Sequence, residues 1–274
     1  MNFEKIRSFV EGIIKRINED CVTVYAAQAS FYVIIASIPF VTLLLSLTRF
    51  IVPLSFEEVN AAVRRFLPVA LHQFAGQIVG ELYTKSTGSV ISLSVITALW
   101  PASRGVAAVV RGVRRVYRIK EPRGLMRNIV SSLLQTMVFL VILILGLVGL
   151  ALASGLVNFI AKLIPILGTV IGWVSWLGSG VISVLICLML AFIYRSVSRR
   201  KKILHQLWGA VFTTIGWAVF SVIFSAYIEN YANYSYVYGS LAAIVLMMLW
   251  LYSVMIIFLL GAELNVLVGN PHRT

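Results

Sequence analysis

The chain has 274 residues, 60% of them hydrophobic and only 12% charged, and its formal net charge is +13. Soluble domains carry about 25% charged residues. At a mean hydropathy of +0.94 the composition excludes a soluble fold, and the chain reads as an integral membrane protein whose basic balance comes from cytoplasmic loops rather than nucleic-acid binding.

Taken in chain order, the first element lies in residues 1–22. Phe3, Ile6, Phe9, Val10, Ile13, Ile14 and Ile17 recur at helical spacing, with Lys5, Lys15 and Arg16 among them. That pattern suits an amphipathic helix on the membrane interface. A spanning helix needs about 20 mostly apolar residues. Six segments meet that need: residues 26–52, 89–110, 129–157, 169–194, 207–227 and 237–268. Residues 56–84 have apolar faces but too many charges to span. Pro68 should kink or split them into one or two short helices that cap the outer side. The fold class is all-α: a polytopic membrane helix bundle of about six transmembrane helices with amphipathic interfacial helices, in one transmembrane domain.

Basic residues orient it. Residues 1–22, the second-to-third and fourth-to-fifth connections and the C-terminus hold 18 of the 23 Lys and Arg. If six helices span, all 18 fall on one side, and both termini face the cytoplasm.

The stretch LWPASRGVAAVVRGVRRVYR, residues 99–118, joins a spanning helix to a basic one. At 100° per residue, Arg104, Arg111, Arg114, Arg115 and Arg118 lie within about 100° of one another, opposite a valine face. A basic residue at an anionic headgroup contributes about 1 kcal/mol. The plainer reading is an orientation signal and lipid anchor; the alternative is specific binding of a phosphorylated ligand. Arg104 follows Trp100, Pro101 and Ser103, and is expected near the inner end of the hydrocarbon, where an arginine must snorkel or find a partner. The sixth segment carries one acid, Glu263, expected at the same boundary. Pairing of Arg104 with Glu263 is the sharper expectation, separate snorkelling the plainer one.

The first spanning segment is interrupted by Tyr32 and Pro39, among other breaks in its apolar run. Pro39 frees a backbone carbonyl, and polar groups at that depth face the bundle or a wet cavity. Packing through Ala29, Ser30 and Ala36 explains the same residues. The tyrosine-rich stretch at residues 227–240, which includes Tyr238, suits an interfacial belt or the lining of a vestibule. Tyr32, Pro39, Trp100, Ser103, Arg104, Tyr238 and Glu263 are thus the candidate cavity or structural residues. Cys21, Cys187 and three scattered histidines show no metal-ligand spacing, and there is no GxxxxGK[ST] loop. No catalytic residue, metal or cofactor is expected.

Four stretches in order carry a resemblance: AAQASFYVIIASIPF at 26–40, WPASRG at 100–105, YGSLAAIVLMMLWLY at 238–252 and LLGAELN at 259–265. The chain resembles, over nearly its whole length, the YihY/BrkB family of bacterial inner-membrane proteins, once labelled ribonuclease BN. The resemblance implies six spanning helices, an inner-membrane location and a transport role; one branch of the family is linked to serum resistance. It supplies no catalytic residues. The expected function is transport of a small or amphipathic solute, anionic or lipid-like. A non-transporting scaffold for envelope assembly or partner binding is the alternative. A membrane-associated ribonuclease finds little support, because clustered carboxylates or histidines are wanting. The expected partners are the lipid bilayer and its anionic headgroups, with a homo-oligomer left open and no nucleic acid.

Overall fold

The computed structural model describes residues 16–51, 56–85, 91–119, 168–198, 204–231 and 240–269. The expected span at 129–157, most of the N-terminal amphipathic segment and Tyr238 lie outside them. The described elements are all helical. They are α1 (Val22–Ile51), α2 (Phe56–Phe66), a 3-10 turn (Val69–Leu71), α3 (His72–Lys85), α4 (Ile91–Val116), α5 (Gly168–Ser198), α6 (Leu204–Tyr231) and α7 (Ser240–Gly269). Within them, 22–39, 205–230 and 242–269 are long and apolar enough to cross a membrane.

Among the described helices, two antiparallel pairs form the framework of the bundle. In the first, α1 lies on α4 through small residues that let the backbones approach. Ala26, Ala29, Ser30 and Ala36 are buried on α1, and Gly105, Ala108 and Gly112 on α4. Gly112 faces Tyr25 while Gly105 faces Tyr32 and Val33, so the two chains run in opposite directions.

In the second pair, α6 lies on α7 with a ladder of contacts one or two turns apart. The Trp217 indole N–H donates to the Val254 carbonyl at 2.8 Å, and that of Trp250 donates to Ser221 Oγ at 3.1 Å. Further along, Gly209 meets Gly261. Helix α7 also packs on α1 and α4, and α5 packs on α6. The main core gathers Val22, Val113, Leu190, Tyr194, Phe258 and Leu259. It lies toward the basic end of the bundle, where α4 finishes in Arg114 and Arg115.

The backbone turns sharply at that end. Helix α4 closes with the Ile119 N–H on the Arg114 carbonyl at 2.9 Å and Arg118 at φ 52°. This is a glycine-type helix stop built on an arginine, a left-handed residue that costs about 1–2 kcal/mol outside glycine.

The charged segment between α1 and α4 breaks at Pro68. Pro68 sits in an extended conformation (φ −61°, ψ 150°), and the 3-10 turn follows it. Helices α2 and α3 fold back on each other: Phe56 meets Tyr83 edge-on with centroids 6.0 Å apart, and Asn60 and Arg64 lie over Gly76. The turn of this hairpin carries Leu71, which joins Phe224, Trp250 and Val254 in a second buried cluster.

Candidate functional site

Three groups of polar side chains interrupt this apolar bundle. The first is at mid-length. Gly112 on α4 meets Leu259 on α7, and these two helices run the same way. At a rise of 1.5 Å per residue, Arg104 lies about 12 Å from that contact and about 18 Å from the end of α4 at Val116. Its level on α7 is therefore that of Trp250 to Val254, the middle of the bundle. This register places Arg104 away from the basic end of α4.

Arg104 is exposed, and its guanidinium carbon stands 5.9 Å from the Trp100 ring centroid. Trp100 is itself 60% exposed and takes the edge of Tyr32 with centroids 6.3 Å apart. The Ser103 hydroxyl donates to the Trp100 carbonyl at 2.7 Å, so it serves its own helix. Pro39 lies within α1 and Pro101 within α4. Tyr32, Trp100 and Arg104 thus form one aromatic-cationic step on the α1–α4 face. A cation over an indole keeps a ready positive charge while its stem is held.

The second group is at the basic end. Glu263 is 6% exposed, and the charged groups beside it are Asp20, Arg16 and Arg118, not Arg104. The expected Arg104–Glu263 pair is thereby corrected: fourteen residues of helix, about 21 Å, separate Arg104 from Arg118. The basic stripe is also partly occupied from within. Arg111 donates to Gln28 Oε1 at 3.3 Å. Arg115 donates to the Glu19 carbonyl at 3.1 Å and stands 3.8 Å from Asp20 Oδ1. Arg114 is half-buried.

Between the α6–α7 pair and its neighbours lie polar residues that sequence reasoning missed. The Tyr194 hydroxyl donates to the Phe258 carbonyl at 2.6 Å. Its single proton being used, it accepts from Thr213 Oγ1 at 2.9 Å. Its ring stacks on Phe258 with centroids 4.9 Å apart. The Gly209 N–H donates to Asn265 Oδ1 at 2.7 Å, and Tyr117 hydrogen-bonds to Gln206. Gln206 Nε2, Asn265 Nδ2 and Glu263 Oε1 are buried without a hydrogen-bond partner among the described residues. The signal was present as a period: Gln206, Gly209, Thr213 and Gly216 recur every three or four residues along an otherwise apolar α6. No group of three metal-ligating side chains occurs among the described residues.

Comparison with known proteins settles the lineage. The family described as Virulence factor BrkB matches residues 13–274. The chain belongs to the BrkB family. Among BrkB relatives, the ribonuclease-like protein YfkH of Bacillus subtilis is 30% identical over 253 residues, covering 90% of each chain. A UPF0761 membrane protein of Alteromonas mediterranea is 24% identical, covering 98% of this chain and 94% of its own. One from Vibrio vulnificus is 24% identical, covering 96% and 83%. No solved structure matches. This BrkB protein is a membrane protein with an all-α helical bundle.

Proposed function

We propose that this BrkB-family protein carries a small or amphipathic anion across the bacterial inner membrane, as a multi-pass protein whose basic end faces the cytoplasm. The supporting observation is Arg104: an exposed arginine at mid-length of the bundle, held over Trp100 with Tyr32 at its edge. A charge at that depth is expensive and is retained where water or a ligand meets it. Its planar fork suits a carboxylate or phosphate, while the two rings suit an apolar body beside that headgroup.

The reading is of a transporter without catalytic residues, although the YfkH relative carries a ribonuclease-like name. The test is flux. Protein reconstituted in liposomes should move members of a panel of organic and inorganic anions. Arg104→Gln should cut that flux at least about tenfold at matched insertion, and Arg104→Lys should restore part of it. Absence of flux for every anion, together with cleavage of RNA by the same preparation, overturns the reading in favour of a nuclease.

A further inference from the structure

The hairpin of α2 and α3 is tied at both open ends. Four residues link Ile51 of α1 to Phe56, and five link Lys85 to Ile91 of α4. Ile51 and Ile91 both lie at the end of the bundle away from Arg115 and Arg118, because α1 and α4 are antiparallel. Helix ends joined by four intervening residues lie at most about 18 Å apart, and those joined by five at most about 22 Å. The open end of the hairpin is therefore held at the non-basic end.

Its closed end is not at that surface. Leu71 is buried with Phe224, Trp250 and Val254. Trp250 is ten residues, about 15 Å, along α7 from Ser240. Val254 is level with Trp217, halfway along α6. The turn at Pro68 to Leu71 thus packs on the flanks of α6 and α7 rather than beyond their ends.

Its exposed residues form polar stripes along that course. On α3 they are Gln73, Gln77, Glu81 and Thr84, at helical spacing from the turn to the open end. On α2 they include Glu57 and Glu58 at the open end and Arg64 near the turn. Arg64 lies over Gly76 beside Asn60, whose Oδ1 is buried without a hydrogen-bond partner among the described residues. Charged and amide side chains cannot face hydrocarbon at half-depth without severe cost. They are tolerated where they line water.

We propose that this hairpin is re-entrant and lines an aqueous vestibule, open at the non-basic face and reaching mid-membrane, with Arg64 as its anion-attracting residue. It extends the transport reading by supplying a way in to the level of Arg104. It is tested without any transported solute, so the two can fail separately.

Single cysteines are placed in a chain with Cys21 and Cys187 replaced, and intact cells are treated with an impermeant maleimide. Only a thiol that meets water ionises and reacts. Gln73→Cys, Gln77→Cys and Glu81→Cys should all label from outside. Val222→Cys, exposed on the apolar flank of α6, should not. Charge is then read at Gln73→Cys with an anionic and a cationic thiosulfonate, each rate divided by its rate with a free thiol. The anionic reagent should be favoured. Arg64→Gln should reduce that preference about fivefold, a size expected for one charge at close range in partly screened surroundings. Arg64→Lys should hold it within about twofold, and raising the salt on the unchanged chain should lower it as Arg64→Gln does.

Gln73→Cys and Gln77→Cys as silent as Val222→Cys, while Glu81→Cys labels, would overturn the vestibule. A charge preference indifferent to both Arg64→Gln and salt would overturn the role of Arg64.

Discussion

Gly209 and Gly261 show how closely two helices can be held by single hydrogens. A Cβ built on Gly209 falls 2.0 Å from the Gly261 carbonyl oxygen, and one on Gly261 falls 2.1 Å from Thr213 Oγ1. Neither obstacle is the loose end of a long side chain, so the helices must part. Gly209→Ala and Gly261→Ala should each lower stability in detergent by roughly 1–3 kcal/mol or more, seen as an earlier unfolding transition. Gly80→Ala is the control. Its Cβ meets only the Phe56 ring at 3.7 Å, and the gain in helix propensity, up to about 1 kcal/mol, should leave it neutral or slightly more stable. Equal losses at all three positions would refute the close crossing. At the same scale, Arg104→Ala and Glu263→Gln should be strictly additive in a double-mutant cycle, since they share no partner. Asp20→Asn and Glu263→Gln should not be additive, because those side chains adjoin. These neighbours were illegible in the sequence. Asp20 stands about 240 residues from Glu263, and nothing in a helical period says which neighbour a rare charge will meet.

Elements were easier to read than contacts. Runs of apolar residues mark where α1, α5, α6 and α7 lie, because hydrocarbon demands length and apolarity whatever the packing. Pro68 marks the break between α2 and α3 for an equally local reason: it has no N–H to donate. The depth of that hairpin was not readable. Its charges suggest a surface segment, and nothing local in them foretells that Leu71 joins a buried cluster with Phe224, Trp250 and Val254. That contact should dominate the hairpin's anchorage. Leu71 is 1% exposed, so Leu71→Ala should cost about 2–5 kcal/mol through the cavity it leaves. Limited proteolysis should then cut within α2 or α3 before any other helix. A variant with parental proteolysis would show that the turn bears no load.

At the scale of the whole molecule, orientation is decided by where the basic residues collect. In intact cells, single cysteines at Lys201 and Lys120 should resist an impermeant label, whereas one at Asn233 should react. Labelling at position 120 from outside would defeat a six-span arrangement. The Tyr194 junction has a further consequence, for the order in which the chain is made. Its hydroxyl is satisfied by Thr213 and by the Phe258 carbonyl, both encoded downstream. When α5 leaves the ribosome, neither partner exists. The residue lies four positions, about one turn, before the end of α5 at Ser198, so a hydroxyl there has a short path to water while the remaining helices are synthesised. Helix α6 brings Thr213, and the arrival of α7 completes the set with the Phe258 carbonyl. Biogenesis is thereby given a final checkpoint: a chain truncated before Phe258 should retain an accessible, protease-sensitive α5, and the full-length chain should lose that sensitivity as its last helix docks.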